Sequence, residues 1–329
     1  MKKSILAKVI LPLSLFLAVS AVPAFAAMEL KAGHVLAEGH AYHLSWLKVA
    51  EIVKEKTKGE ITIDVFHSST LGNERDLIEG MQLGAIDFAV VSTGPVSGFS
   101  SAFLVLDLPY IFPSYEAAYK VLDGELGQGM LDSLMQNQLK AFCFWENGFR
   151  NVTAKKPTPK PEDVKGLKIR TMEAEVHMAT FNNLGAIATP MAMGEVYTAL
   201  QQGTIDAQEN PIANIYQAKF HEVNPYVTMT RHFYAPAPVL MSKIVWDRLT
   251  PEQQKIISEA IIEVRQFERD EIKRGEKEYS ESMKKEGVTI VEDVDVAAWS
   301  KAVQPTYDQY AKTIGADLIK KVSAIANSQ

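Results

Sequence analysis

The 329-residue sequence predicts an α/β protein of two similar lobes facing each other across a ligand cleft, with a long helix toward the C-terminus as a spine. Three observations predict it. Strand-patterned segments alternate with helix-patterned ones, the signature of a parallel sheet covered by helices. A faint internal echo follows: Met81-Gln82-Leu83-Gly84-Ala85-Ile86-Asp87 returns as Leu200-Gln201-Gln202-Gly203-Thr204-Ile205-Asp206, and LKAGH from Leu30 returns as LKIRT from Leu167. Each half then holds strand, helix, strand, helix, stop and strand; chance similarity of short units is the competing explanation. Third, helical periodicity runs unbroken from Pro251 to about Lys285, where Gly287 stops it.

The elements follow in order. Lys2, Lys3, the apolar run Ile5 to Val22 and the small-x-small triplet Ala24-Phe25-Ala26 read as a secretory signal covering residues 1–26. A retained anchor is the alternative, but Lys8 and Ser14 leave an uncharged core shorter than the roughly 20 residues a spanning helix needs. Glu29 to His34 is a first strand. Glu38, His40 and Ser45 surround the start of a helix reaching about Lys56, and Gly59 stops it. Ile61 to Phe66 alternates apolar and polar as a strand does. Asn73 is an N-cap for the helix Glu74 to Leu83, which Gly84 closes. Ile86 to Val91 is a nearly continuous apolar run, as expected of a strand buried on both faces. Leu104 to Phe112 reads as a loop closed by Pro109 and Pro113, and Ser114 caps a helix from Tyr115. Leu139 to Trp145 is a strand leading into Glu146-Asn147-Gly148-Phe149-Arg150. Lys155 to Asp163 is a surface connector.

In the second half, the strand Leu167 to Thr171 carries Arg170. A helix follows, then Gly185 and the strand Ile187 to Thr189. Glu195 to Gln202 is helical and Gly203 ends it. Thr204 to Gln208 is a strand delivering Glu209 and Asn210. Tyr226 to Phe233 and Ala237 to Met241 read as two strands around Pro236 and Pro238. Thr250, Pro251 and Glu252 open the long helix. Val288 to Val291 is a last strand and Asp295 to Ala326 is helical.

Composition and motifs narrow the function. A net charge of −6 argues against nucleic acid. Cys143 is the single cysteine, so an intrachain disulfide is excluded, and its apolar setting makes it a small buried hydrophobe. Nucleophile-elbow, phosphate-loop and dinucleotide-binding patterns are missing. His34, His40 and His43 cluster without a partner of metal-ligand spacing, so neither a metal nor a cofactor is expected. What remains suits an anion. In open α/β sheets ligands sit beyond the carboxyl ends of strands, where Arg170 and Asn210 fall. A guanidinium offers a carboxylate two parallel hydrogen bonds. Arg150 follows a strand end and is either a ligand or one half of an ion pair. Asn210 offers a donor and an acceptor, or simply turns the chain before Pro211. Met193, Met172, Phe149 and Trp145 wall an apolar pocket or belong to the core.

The pieces GLKIR (from Gly166), PMAMGEVYTALQQGTIDAQENP (from Pro190), LGNERDLIEGMQLGAIDF (from Leu71), LDLPYIF (from Leu106) and NGFRN (from Asn147) stand in one order along the chain. In them the sequence resembles the solute-binding proteins of TRAP (tripartite ATP-independent periplasmic) transporters, the DctP-type family. The resemblance implies a periplasmic-binding-protein-like fold with a spine helix bracing both lobes. Lobe I is expected over 27–147 with about 236–275, and lobe II over 148–235 with about 276–329. It implies Arg170 as principal carboxylate ligand, Arg150 as a second contact and Asn210 as completing the anion site. Glu74 would read a hydroxyl in members that bind sugar acids, and His34 and Tyr234 would lie at the rim. Members that bind sialic acid often carry an aromatic at the position of Met193 and a glutamate at that of Ser92, so sialic acid is disfavoured here.

The expected function is therefore that of a periplasmic, monomeric binding subunit. It captures a small organic acid and hands it to the membrane subunits of a TRAP transporter, without catalysis. A sugar acid or uronate is favoured. The methionines and Trp145 would suit a less polar acid, and a C4-dicarboxylate would use both arginines. The rivals are a periplasmic lyase or isomerase with Glu74 or Glu209 as base, and a ligand-sensing subunit of a membrane receptor.

Overall fold

The structure, a computed structural model, describes residues 27–328, and the expected signal segment lies outside them. Nine strands share one sheet: β1 (Met28–Gly33), β2 (Ile61–Phe66), β3 (Phe88–Val90), β4 (Leu139–Ala154), β5 (Lys168–Thr171), β6 (Ile187–Pro190), β7 (Ala207–Asn210), β8 (Tyr226–Ser242) and β9 (Thr289–Val291). Their order is β2-β1-β3-β8-β4-β7-β5-β6, with β9 beside β8. Each flank is parallel, as the alternation of strands and helices predicts: β1 lies between β2 and β3, and β5 between β6 and β7. The echo in the sequence is thus an echo in topology. Gly84 and Gly203 end its two helices at φ +73° and +72°, a left-handed backbone that glycine enters without a steric penalty.

The centre of the sheet departs from the expectation of a parallel sheet. β3, β8, β4 and β7 pair antiparallel, because β4 and β8 cross from one flank to the other. β4 does not end at Trp145 but runs on to Ala154, so Arg150 lies inside a strand, opposite Phe233. β8 likewise continues through Pro236 and Pro238, where two strands were expected. Proline offers no N–H to a ladder. Opposite Pro236, the Glu146 N–H donates instead to the Glu268 carboxylate at 3.1 Å, and the register shifts between Glu146 and Gly148. The prolines and bulges therefore bend the crossover without breaking it.

The predicted N-caps form. Asn73 accepts from the backbone of Arg75 and Asp76 at the head of helix Glu74–Gln82, and Thr250 caps the 35-residue spine helix Pro251–Lys285. One end of the spine packs Ile257, Ala260 and Ile261 into the core of Trp46, Val49 and Trp145. The other end packs Met283 with Val196, Leu200 and Phe220. Further elements differ from expectation. Leu104 to Phe112 begins inside a 3-10 helix, Ser101–Asp107, and an unforeseen helix spans Glu125–Ser133. The C-terminal stretch divides into Val296–Ala302, Gln304–Ile314 and Ala316–Ala326. In the last of these, Val322 and Ala326 pack with Leu77, Phe103 and Val121 of the first half, across from where lobe II was expected.

Candidate functional site

The carboxyl ends of the parallel strands from both flanks meet over the crossover strands. Two small adjoining cavities of about 10 Å³ each lie there, both bordered by Val35, Glu74, Arg170, Met172 and Met193. Ser92, Asn147, Arg150, Asn210 and Asn214 complete the second. Strands β4, β5 and β7, helices Glu74–Gln82 and Ile212–Gln217 and the loops after β1, β3 and β5 contribute, and the sheet order brings together residues more than a hundred positions apart.

Arg170 lies in β5 between Thr189 and Gln208 and is buried. Its Nε and Nη2 both donate to the Met191 carbonyl, at 2.9 and 2.6 Å. That bond aims the guanidinium and leaves Nη1 buried without a partner. Burial, with Arg150 nearby, brings its pKa down to about 10, so it stays charged at neutral pH. A buried charged donor without a partner is unfavourable until an acceptor arrives.

Arg150 is committed differently. Its Nε and Nη2 grip the two carboxylate oxygens of Glu209 at 2.5 and 2.8 Å, and Nη2 also donates to the Glu209 carbonyl at 2.6 Å. His232 Nε2 lies 3.1 Å from the same carboxylate. Burial alone would raise the Glu209 carboxyl, but Arg150 and the hydrogen bonds from His232 and Arg150 together hold it well below the usual carboxylate range. Glu209 is thus a locked counter-ion and not a base. Arg150 keeps only Nη1 uncommitted to oxygen, 3.7 Å from Met172 Sδ.

Acceptors surround this pair. Glu74 heads its helix, half-buried at the cleft wall, and accepts the Ser92 N–H at 2.6 Å. Burial pushes its carboxyl up, against the lowering hydrogen bonds of Ser92 and the two arginines. Asn210, at the end of β7, donates to Gln208 at 2.6 Å and accepts from Asn214 at 3.2 Å. The side-chain oxygens of Asn147 and Asn214 are buried and unpartnered. Neither asparagine was singled out from the sequence. Asn147 stands in the NGFRN piece, and Asn214 lies four residues past Asn210 in the helix that follows β7. Val35 and Leu36, in the loop after β1, carry no such signal.

Three expected site residues lie elsewhere. Trp145 is fully buried with Trp46 and Tyr42 in the first-half core and lines neither cavity; the register shift between Glu146 and Gly148 breaks the alternation that would otherwise put it on the face of Asn147. His34 is buried with Nε2 3.3 Å from His43 Nδ1 and lines neither cavity. Tyr234 donates to Glu146 and packs among Phe112, Tyr115 and Phe149. Among the described residues no group of three His, Cys, Asp or Glu is placed to hold a metal ion, and no helix is long and apolar enough to cross a membrane. One unpaired guanidinium N–H beside several acceptors can hold a carboxylate together with hydroxyl groups.

Comparison with known proteins gives the family and the fold. A family model described as "Bacterial extracellular solute-binding protein, family 7" matches residues 32–313. The 2,3-diketo-L-gulonate-binding periplasmic protein of Escherichia coli (strain K12) is 36% identical over 313 residues, 94% of this chain and 95% of that one. The C4-dicarboxylate-binding periplasmic protein of Rhodobacter capsulatus is 34% identical over 310 residues, 92% of each chain. The crystal structure of a TRAP periplasmic solute-binding protein from Polaromonas sp. JS666, bound to D-erythronate, superposes with a TM-score of 0.89 at 37% identity, covering 92% of this chain and all of that one.

Proposed function

The chain belongs to family 7 of the bacterial extracellular solute-binding proteins, the binding components of TRAP transporters, and from that premise we propose that it captures one hydroxylated monocarboxylate, a sugar acid, and delivers it to a membrane permease from the periplasm. The observation that carries the reading is the buried, unpartnered Nη1 of Arg170 beside the acceptors of Glu74, Asn147 and Asn214. The carboxylate takes Arg170. Its hydroxyls satisfy the acceptors, which a plain aliphatic acid would leave unpaired. Arg150 is already neutralised by Glu209, so a second carboxylate would meet Glu74 with no free cation to balance it, which disfavours C4-dicarboxylates.

The protein acts as a monomer and makes or breaks no bond. The two parallel flanks serve as lobes along the expected division, with helix Ala316–Ala326 bridging back to the first. Isothermal titration against sugar acids, uronates and dicarboxylates tests the reading. Binding of a hydroxylated monocarboxylate, recovered unchanged by mass spectrometry after long incubation, is the expected result. Preferential binding of succinate would overturn the monocarboxylate assignment, and turnover of the bound acid would return the enzyme reading.

A further inference from the structure

Beside the anchor cavities lies a chamber of about 210 Å³ that opens to the surface. It shares Val35, Leu36, Met193 and Asn214 with the anchor cavity around Arg170. Each anchor cavity, at about 10 Å³, admits roughly one water-sized group. Together they leave room for a carboxylate and the hydroxyl beside it in this arrangement; the body of a longer ligand does not fit there. The chamber is where the chain leaves room for it.

The lining is split by chemistry. Met193, Tyr197 and Phe220 present apolar surface. Gln217 and Asn214 present amide oxygens, Oε1 and Oδ1, both buried without a partner. Their orientation is set from behind: Gln217 Nε2 donates to Tyr279 at 2.8 Å, and Asn214 Nδ2 to Asn210 at 3.2 Å. With the donors tied back, the oxygens remain as acceptors. The two flanks approach closely at two points around the chamber. A Cβ on Gly194 would come within 4.0 Å of Ser69, and one on Gly39 within 3.5 Å of Gln217. The chamber is therefore an interlobe space, formed when the flanks are together.

We propose that this chamber is the second half of the ligand site and selects for size. It takes the body of an acid whose carboxylate sits at Arg170, a ring or chain with an apolar face toward Met193 and Tyr197 and a hydroxyl or N–H toward Gln217 and Asn214. The inference rests on the acid-binding reading above and adds to it a preference for acids of six carbons or more over three-carbon hydroxy acids.

Titration calorimetry with glycerate, glucuronate and galactonate tests it on wild type and on three variants. Ala218→Phe fills the chamber from the end of helix Ile212–Gln217 without touching Arg170. Gln217→Leu keeps the volume and removes the acceptor. Arg170→Ala removes the anchor, and melting curves confirm that each variant folds. Wild type binds the six-carbon acids at least tenfold more tightly than glycerate. Ala218→Phe and Gln217→Leu erase most of that advantage while changing glycerate affinity by less than about twofold. If glycerate binds as tightly as the longer acids, or both chamber variants weaken all three equally, the chamber has no role in selection and the acid-binding reading stands without it. If Arg170→Ala keeps full affinity, or no acid of the panel binds wild type, the anchor reading falls and this inference with it.

Discussion

Two arginines with similar surroundings in sequence hold opposite positions in the site. Arg170 gives Nε and Nη2 to the Met191 carbonyl and keeps Nη1 free, and Arg150 is closed into a bidentate pair with Glu209. Their substitutions should therefore read out in different measurements. Arg170→Lys keeps the charge but loses the planar guanidinium that the Met191 carbonyl orients with Nη1 free, so affinity for a confirmed ligand should fall at least tenfold, about 1.4 kcal/mol, with melting little changed. Arg170→Ala should be worse. Calorimetry on both variants decides, and wild-type affinity in Arg170→Lys would show that charge alone, without the guanidinium geometry, holds the anion. Arg150→Ala strands a buried carboxylate, which typically destabilises by 3–5 kcal/mol, so its chief effect should appear in denaturant unfolding. A stable Arg150→Ala that fails to bind would return Arg150 to the ligand. Met193 borders both the anchor cavity and the chamber and is only partly buried. Met193→Ala should weaken binding and spare stability, whereas a loss of the roughly 2–5 kcal/mol typical of core truncation would make it a core residue.

At the scale of elements, the crossover strand β4 carries a buried carboxylate at its bend. Glu146 accepts from Tyr119 at 2.9 Å and from Tyr234, and its N–H binds Glu268 of the spine helix. Burial pushes the Glu146 carboxyl from 4.5 up to about 7, against the hydrogen bonds of the two tyrosines and the Arg269 charge. Burial and Glu146 move Glu268 in the same direction. A folded-state pKa above the unfolded one means that the stability contributed by the protonated carboxyl is complete below about 4.5 and is lost as the pH rises through about 7. Histidines 34 and 40, held neutral by burial, act in the opposite sense, so a single melting curve mixes the two effects. The difference between Glu146→Gln and wild type isolates the carboxyl. The variant should gain on wild type between pH 5 and pH 8, and a gap independent of pH would show that Glu146 titrates normally. A second test at this scale concerns the repeated helix stop. Gly203 has open space around its missing Cβ but a φ of +72°, so Gly203→Ala should cost about 1 kcal/mol through backbone strain alone.

For the whole molecule, the arrangement around Arg170 is already tight. Cavities of about 10 Å³ admit no ligand from solvent unless the flanks part, and β4 and β8 are the strands that join them. Hinge closure follows as the way the site is loaded and sealed. Water leaves as it closes, which strengthens the pairing of Arg170 with an anion. Small-angle scattering should give a smaller radius of gyration at ligand saturation than without ligand. Identical profiles would mean that the site fills by another route.

The sequence by itself determined what depends on near neighbours. Alternation in Ile61–Phe66, the caps at Asn73 and Thr250, the glycine stops at Gly84 and Gly203 and the unbroken spine pattern are local signals, and each became the element it predicted. The family pieces placed Arg170, Asn210 and Glu74 at strand or helix ends that the sheet gathers at one cleft. Pairing across the fold was not legible. Whether Pro236 and Pro238 end a strand depends on what their partners bond to instead, and here Glu268, 122 positions from Glu146, supplies the acceptor. Whether Arg150 meets a ligand or a counter-ion depends on Glu209, 59 positions away on a strand that only the sheet order puts beside it. Trp145 looked like a pocket wall by composition and became core because the facing of β4 is set by its bulged register with β8. Long-range pairing chose the partner of each buried charge, and an unpartnered one is the feature by which the site is recognised.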